Sequence, residues 1–459
     1  MGSTIMPKFK KLCEATEKYE PFCFAKTLGK KKDSQPFRRL KNMKCKKPVS
    51  LMWESTIACG LACKHCKASA KKTPDPDELS TEEGRSLIDQ IVEFGEPYPI
   101  LRITGGNALM RGDIFELIKY AKDEGLKVTI APSTTPLLNR KNIIKLKEAG
   151  VDVVAISIDG HSAELHDSFR GIVGTFDLML RATRIMKEVA LPFRLLTTVT
   201  KFNVRSLPEI FLHAKKLGAA GWYLYMLIPT GRAKIEHEIS AGEFEDVFNF
   251  IYDLMQLRIM TINAIAGSEP FRRVAIMRRL VEEGKLSEEE LKFGELYWFL
   301  SSKLKSLLDS DRKLARNAIF LAEESEIPAP SRVETSYGHK EKDNEFGKGI
   351  FVSKNGTVYP SSFLPIAIGN VREDRLTQVY AESALLRDLQ SPEKLKGKCR
   401  ICEFNDVCRG SRSRAYAVTG DYLAEDPYCA YVPGAVGKIA DNKKILAELR
   451  VTNFSRRGS

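Results

Sequence analysis

The chain has 459 residues, 43% of them hydrophobic, and a formal net charge of +13. That length suits two or three domains of about 150 residues each. No apolar run approaches the ~20 residues of a membrane span, and the opening MGSTIMPKFKKLCEATEKYE has no apolar signal core, so a cytoplasmic protein that does not engage membranes is expected.

Much of the positive excess sits at Lys30, Lys31, Lys32, Lys44, Lys46 and Lys47 and in the tail 443–457. No nucleic-acid motif accompanies it, so a solvated surface is expected and nucleic acid is not an expected partner. There are ten cysteines, and seven of them fall into two tight groups, which is metal-ligand usage in a reducing compartment and not a disulfide framework. Cys13, Cys23 and Cys45 are scattered and carry no motif.

In chain order, 1–47 is a basic leader. Residues 49–56 (VSLMWEST) form the first apolar strand, and IACGLACKHCKA follows, placing Cys59, Cys63 and Cys66 in a C-x3-C-x2-C spacing. Three thiolates this close can close around one cubane iron–sulfur cluster, leaving one iron open to a substrate or cofactor. A partial zinc site and unrelated buried thiols are the alternatives. A helix over 80–95 starts with the capping pattern of Ser80 and Glu83. Strand and helix then alternate: strands over 100–104, 127–131, 151–158, 193–200 and 221–227, and helices over 114–124, 141–149, 176–189 and 207–217. Strands such as VDVVAISI are apolar throughout, as a sheet covered on both faces requires. Six such steps predict a parallel α/β sheet.

The strand ends carry polar groups. Gly105, Gly106 and Asn107 follow the second strand, Ser133 and Thr134 the third, and Ser157 and Asp159 end the fourth. Arg170 lies in HDSFRG, where a surface pair with Asp167 is the plain alternative; the fifth strand offers Thr198, Thr200 and Asn203, and the sixth ends in Met226-Leu227-Ile228. A helical, charged insertion over 236–330, with Tyr297, Trp298 and Phe299 clustered, is expected to pack as helices and is a candidate lid over the open mouth. Residues 326–348 are a polar linker within a C-terminal region, 331–435, that opens on a hairpin turning at Asn355-Gly356. That region carries Cys399, Cys402, Cys408 and Cys429 in a C-x2-C-x5-C-x20-C spacing, which fits a fully ligated cluster or a closed zinc site. A basic tail over 436–459 ends the chain.

The C-x3-C-x2-C loop and the ordered rim resemble the radical S-adenosylmethionine (radical SAM) superfamily, over about 49–232 and 348–433. The resemblance implies a partial (βα)6 barrel, bounded here at 48–235, with Cys59, Cys63 and Cys66 on a [4Fe-4S] cluster whose open iron takes S-adenosylmethionine. It further implies that His65 stacks near the adenine and that Gly105, Gly106 and Asn107 hold the methionyl amino group, with Asn107 in place of the usual acid. Ser133, Ser157, Asp159, Arg170, Thr198 and Met226 would complete the site. The C-terminal run GKCRICEFNDVCRGSRSRAYAVTGDYLAEDPYC resembles the SPASM and Twitch extensions of enzymes of haem d1 and alternative haem synthesis. Two-cluster relatives carry further cysteines near the places of Ser361 and Ser362 and soon after the equivalent of Cys408, where this chain has Ser411 nearby and no cysteine, so the resemblance implies one auxiliary [4Fe-4S] cluster. The implied activity is hydrogen-atom abstraction from a cofactor precursor, tetrapyrrole- or pterin-type, or from a peptide, with a low-potential donor such as ferredoxin or flavodoxin. A two-cluster electron carrier and a zinc-stabilised binding protein remain as alternatives.

Overall fold

A computed structural model describes residues 47–310 and 349–436. All of them belong to the compact unit that begins at Lys47. The leader, its three scattered cysteines, the linker over 326–348 and the tail beyond 436 lie outside the described residues.

A single ten-stranded sheet organises the chain, in the order β10-β9-β8-β1-β2-β3-β4-β5-β6-β7. The strands are β1 (Ser50–Glu54), β2 (Ile100–Thr104), β3 (Val128–Ile130), β4 (Val153–Ser157), β5 (Phe193–Val199), β6 (Gly221–Met226), β7 (Thr261–Ala264), β8 (Gly349–Val352), β9 (Thr357–Tyr359) and β10 (Gly369–Asn370). Pairing from β8 through β1 to β7 is parallel throughout, and only β8–β9 and β9–β10 are antiparallel. This is the partial barrel expected, with a C-terminal extension on one edge.

Side chains alternate across the curved sheet. Leu51, Trp53, Leu101, Ile103, Val154 and Ile156 face the helices and are fully buried or nearly so. Met52, Arg102, Thr129, Ala155 and Arg194 face the lumen and line a cavity. The outer layer consists of α1 (Thr81–Val92), α2 (Ile114–Asp123), α3 (Arg140–Glu148), α4 (Ala163–Arg170), α5 (Thr175–Glu188) and α6 (Leu207–Leu217). In α1, Ser80 and Glu83 make both halves of the capping box, and Leu87, Ile88 and Ile91 form the buried stripe. Gly84 of the same helix lets Trp53 approach: a Cβ there would stand 3.1 Å from the indole.

Two features depart from the sequence pattern. The βα series does not end at β6, because β7 continues it in parallel. Its sequence, TINA, is four residues long and mostly exposed or half-buried, so it carries no apolar run to announce a strand. The hairpin of β8 and β9, turning at Gly356, joins the barrel through β8, parallel to β1.

The segment read as a lid forms α7 (Ala241–Gln256), α8 (Phe271–Glu282) and α9 (Glu295–Ser310). Helix α9 packs on α7 and α6, and α7 packs on β7, all outside the barrel. None of residues 236–310 lines the central cavity: among the described residues the three helices pack outside the barrel, β7 extends the edge of its sheet, and Arg273 of α8 lies against the second cysteine group. Tyr297 is buried and donates to Asp253 at 2.7 Å, whereas Trp298 beside it is 60% exposed.

The C-terminal chain adds α10 (Leu376–Glu382), α11 (Ala384–Leu389), α12 (Gly397–Ile401) and α13 (Arg412–Thr419). Arg414 of α13 joins this region to the barrel. Its guanidinium donates to the Leu227 and Gly267 carbonyls at 3.3 and 3.0 Å and pairs with Glu238 and Asp426. All three charged side chains are at most 1% exposed. Replacing Arg414 with Met strands two buried carboxylates, and breaking a buried pair this way costs about 3–5 kcal/mol. A urea titration of the variant at pH 7 reads that loss as a lowered midpoint; an unchanged midpoint would remove Arg414 from the joint.

Candidate functional site

Residues 55–71 leave the C-terminal end of β1 with almost no regular structure, so neighbours must satisfy their backbone. The Glu78 carboxylate accepts from the Ile57 N–H at 2.7 Å and the Thr56 hydroxyl at 3.0 Å. The Gly106 and Asn107 amides donate to the Thr56 and Ala58 carbonyls, both at 2.6 Å. From the other side, the Ala62 and Lys64 amides donate to Arg170 and Phe169 carbonyls at the end of α4. Arg232, after β6, donates to the Cys63 and Ala70 carbonyls at 2.9 and 3.0 Å. A Cβ on Gly106 would stand 2.3 Å from the Ala58 oxygen and 2.4 Å from that of Ile57, so only glycine permits this approach.

The loop brings Cys59, Cys63 and Cys66 onto the wall of one cavity of about 220 Å³, at the C-terminal end of the barrel. Each sulfur meets a donor: the Leu61 N–H at Cys59, 3.4 Å away, the Arg170 guanidinium at Cys63, 3.7 Å away, and the Ala70 N–H at Cys66, 3.4 Å away; the Ser133 hydroxyl, which donates to the Gly106 carbonyl, also lies 3.4 Å from the Cys59 sulfur. Burial pushes the Cys63 thiol up, and Arg170 opposes it. Donors of this kind stabilise ligating thiolates and tune a cluster's potential. Among the described residues, no three His, Cys, Asp or Glu converge on a site for a single metal ion. Three thiols around a cavity, each with a donor, are a donor set that fits a cluster.

Of the other residues expected at the site, His65, Gly105, Gly106, Ser133, Ser157, Arg170, Thr198 and Met226 line the same cavity. Asn107 and Asp159 do not; both are fully buried one layer behind. The Asn107 oxygen accepts from the Leu109 and Ser133 amides at 3.3 and 3.2 Å, and its NH2 donates to Thr135 at 3.1 Å. Its amide is committed to shaping the loop after β3, so it offers no free oxygen to an ammonium group. Asp159 accepts from the Thr198 N–H at 2.8 Å and pairs with Arg170. Arg170 is thus held by Asp159 and Cys63 and makes no pair with Asp167. Asp167 instead caps the start of α5 through Gly174, Thr175 and Phe176. His65 stacks on Phe169, centroids 4.4 Å apart, and burial, reinforced by Arg170 and Arg232, holds its pKa well below the usual imidazole range. Thr200 and Asn203 are buried and bonded to each other, the Thr200 N–H to the Asn203 oxygen at 2.9 Å.

Four cations on the cavity wall escaped the sequence pattern: Lys67, Arg102, Arg194 and Arg232. Two of them left a signal, Arg102 in ILRIT and Arg194 in FRLLTTV, where an arginine interrupts an apolar strand at an inward-facing position. With Arg170 they make five positive side chains, and among the described residues no Asp or Glu lines the cavity.

The second cysteine group rings a smaller cavity of about 20 Å³ lined by Cys399, Cys402, Cys408 and Cys429 together with Arg273 and Lys398. The Asp426 N–H and Arg412 reach Cys399, and the Gly410 N–H reaches Cys408. Phe404 and Tyr431 backbone groups serve Cys402 and Cys429. Burial pushes Cys402 up to about 12 and raises Cys408 and Cys429 as well. Ser411 is fully buried and caps α13.

Residues 53–214 match the family model described as the radical SAM superfamily. A relative in Oleidesulfovibrio alaskensis named AdoMet-dependent heme synthase is 35% identical over 385 residues, covering 83% of this chain and 87% of its own. One of the same name in Methanosarcina barkeri is 34% identical, covering 84% and 97%. Among solved structures, Streptococcus suis SuiB bound to the precursor peptide SuiA aligns with a TM-score of 0.58 at 14% identity, over 92% of this chain and 87% of that one. The chain belongs to the radical SAM superfamily and is a radical SAM enzyme, similar over most of its length to the haem synthases of that family. Membership brings S-adenosylmethionine and a [4Fe-4S] cluster as cofactors.

Two outcomes follow from this geometry. Gly106→Ala forces the cysteine loop off its position, a clash costing about 1–3 kcal/mol; iron bound after anaerobic reconstitution falls while the far-ultraviolet spectrum stays native. His166 of α4 accepts from the Asp159 N–H at 3.2 Å through Nδ1, so it is neutral, and burial first, then Arg170, lowers its pKa to about 4. The unfolded chain therefore binds the extra proton first, and stability declines as pH falls from about 6.5 toward 4, by about 2 kcal/mol at pH 5. Urea titrations at pH 7 and pH 5 measure this, and His166→Gln removes that share of the decline.

Proposed function

We propose that the protein abstracts a hydrogen atom from a side chain of a carboxylate-bearing tetrapyrrole, as a haem-synthase-type radical SAM enzyme. The similarity to proteins named AdoMet-dependent heme synthase, over 83% and 84% of this chain, carries this reading. A cavity walled by five cations and no carboxylate supports it, because a low-dielectric positive site favours an anionic guest. When bound, the cluster and S-adenosylmethionine supply a 5′-deoxyadenosyl radical for the abstraction.

The chain's own residues bind and orient. Cys59, Cys63 and Cys66 would hold the reactive cluster, at which S-adenosylmethionine would bind. Arg170, fixed by Asp159, presents a cation beside Cys63 for the carboxylate of that cofactor. Gly105 and Gly106 open the backbone, Ser133, Ser157 and Thr198 supply polar groups, and His65 and Met226 supply apolar and aromatic surface. Cys399, Cys402, Cys408 and Cys429 would hold one auxiliary [4Fe-4S] cluster, which would supply electron-transfer chemistry there. The enzyme works in the cytoplasm with a low-potential donor such as ferredoxin or flavodoxin; no helix among the described residues is long and apolar enough to cross a membrane.

Anaerobic reconstitution tests the whole reading. We expect about eight irons per chain, 5′-deoxyadenosine from reduced enzyme and S-adenosylmethionine, and none from the Cys59/Cys63/Cys66 triple alanine variant. Cys402→Ala should lose about four irons. Iron without deoxyadenosine would establish an electron carrier, and a porphyrin tetracarboxylate that neither binds nor is altered would end the tetrapyrrole assignment.

A further inference from the structure

Arg194 sits on β5 four residues before Thr198, on the same inward face, which puts it roughly 13 Å nearer the strand's start. It is 8% exposed, and its Nε is buried without a hydrogen-bond partner. Among the described residues no carboxylate pairs with it; its guanidinium lies over the Tyr223 ring, 4.7 Å from the centroid. A buried cation whose only fixed partner is an aromatic face is costly in a low-dielectric interior. It lines the cavity that holds the three thiols, on the wall opposite no acid.

The positions around it give the same sense. Ala155 pairs with Arg194 across β4 and β5, and its small side chain leaves the lumen open there. Arg102 on β2 also faces the cavity, aligned with Met52 and Thr129 of the neighbouring strands. Arg170 differs: Asp159 already neutralises it, and it stands at the thiol end of the space.

We infer that Arg194 is the anchor for a substrate carboxylate inside the barrel, with its guanidinium fork fixing the depth at which the substrate lies beneath the S-adenosylmethionine site. This rests on the tetrapyrrole reading and deepens it: the carboxylates of such a substrate are held by Arg194, and the face of the macrocycle is not what places it. The Tyr223 ring packs against the guanidinium, and a carboxylate is the group its paired donors would meet best.

The experiment compares coproporphyrin, a porphyrin tetracarboxylate, with its methyl ester, titrated into reconstituted holoenzyme with S-adenosylmethionine and followed by the Soret band. The quantity read is the ratio of the two affinities within each protein, which a partial folding or loading defect does not change. We expect wild type to prefer the acid, Arg194→Gln to lose that preference by about tenfold or more, and Arg194→Lys to recover part of it. Arg194→Gln with the wild-type ratio would overturn the inference, as would a wild type that binds acid and ester equally; both leave the tetrapyrrole reading standing. A wild type that binds neither compound overturns that reading, and the anchor with it.

Discussion

Three thiols have to be held in fixed relation by a loop with almost no secondary structure of its own. The loop's backbone groups are satisfied from outside: by Glu78, by the Gly106 and Asn107 amides after β2, by the end of α4 and by Arg232 after β6. These four neighbours come from separate parts of the sequence, and the parallel sheet is what brings three of them to one end. Gly105 and Gly106 set the closeness of the approach, since any side chain there would meet backbone oxygen. The cysteine geometry is therefore a property of the assembled barrel, and damage to the sheet register damages the site.

Electrostatics divides the site into a wall and a layer behind it. Acids near the cavity are withdrawn: Asp159 is fully buried against Arg170 and Thr198, and Glu54 lies 3.8 Å from the Lys67 ammonium. What faces the lumen is positive. A low-dielectric lumen magnifies that charge and selects anionic guests. The same separation explains why Asp159 and Asn107 shape the site without facing into it: one fixes Arg170, and the other fixes Ser133, whose hydroxyl reaches both Cys59 and the Gly106 carbonyl.

The C-terminal cysteines are tied to the barrel twice. Strand β8 extends the sheet beside β1, and Arg414 bonds the carbonyls after β6 and β7 while pairing with Glu238 and Asp426. Asp426 in turn accepts from the Ser411 N–H at 2.7 Å, and its own N–H reaches Cys399. Movement at the joint would thus be felt directly at the second thiol group, which couples the placement of the two cysteine sets.

The amino-acid sequence by itself determined the alternation of strands and helices through β6, the hairpin at Gly356 and both cysteine groupings. These are local signals: apolar runs, a capping box, an Asn-Gly turn and short metal-ligand spacings. It also put most rim residues at strand ends, because alternation along a strand places Ser157 and Thr198 on one face. Only tertiary structure decided the rest. The four residues of β7 become a strand because β6 offers an unpaired edge, and the helices after it pack outside the barrel because α6 and β7 present apolar surface there. Whether Arg170 paired with Asp167 or Asp159 depended on which way α4 turned, and Asn107 was drawn into the layer behind the wall by amides 2 and 26 residues away. The cationic lumen was written in two strand arginines, but its lack of acids is a sum over six strands, and no local pattern carries such a sum.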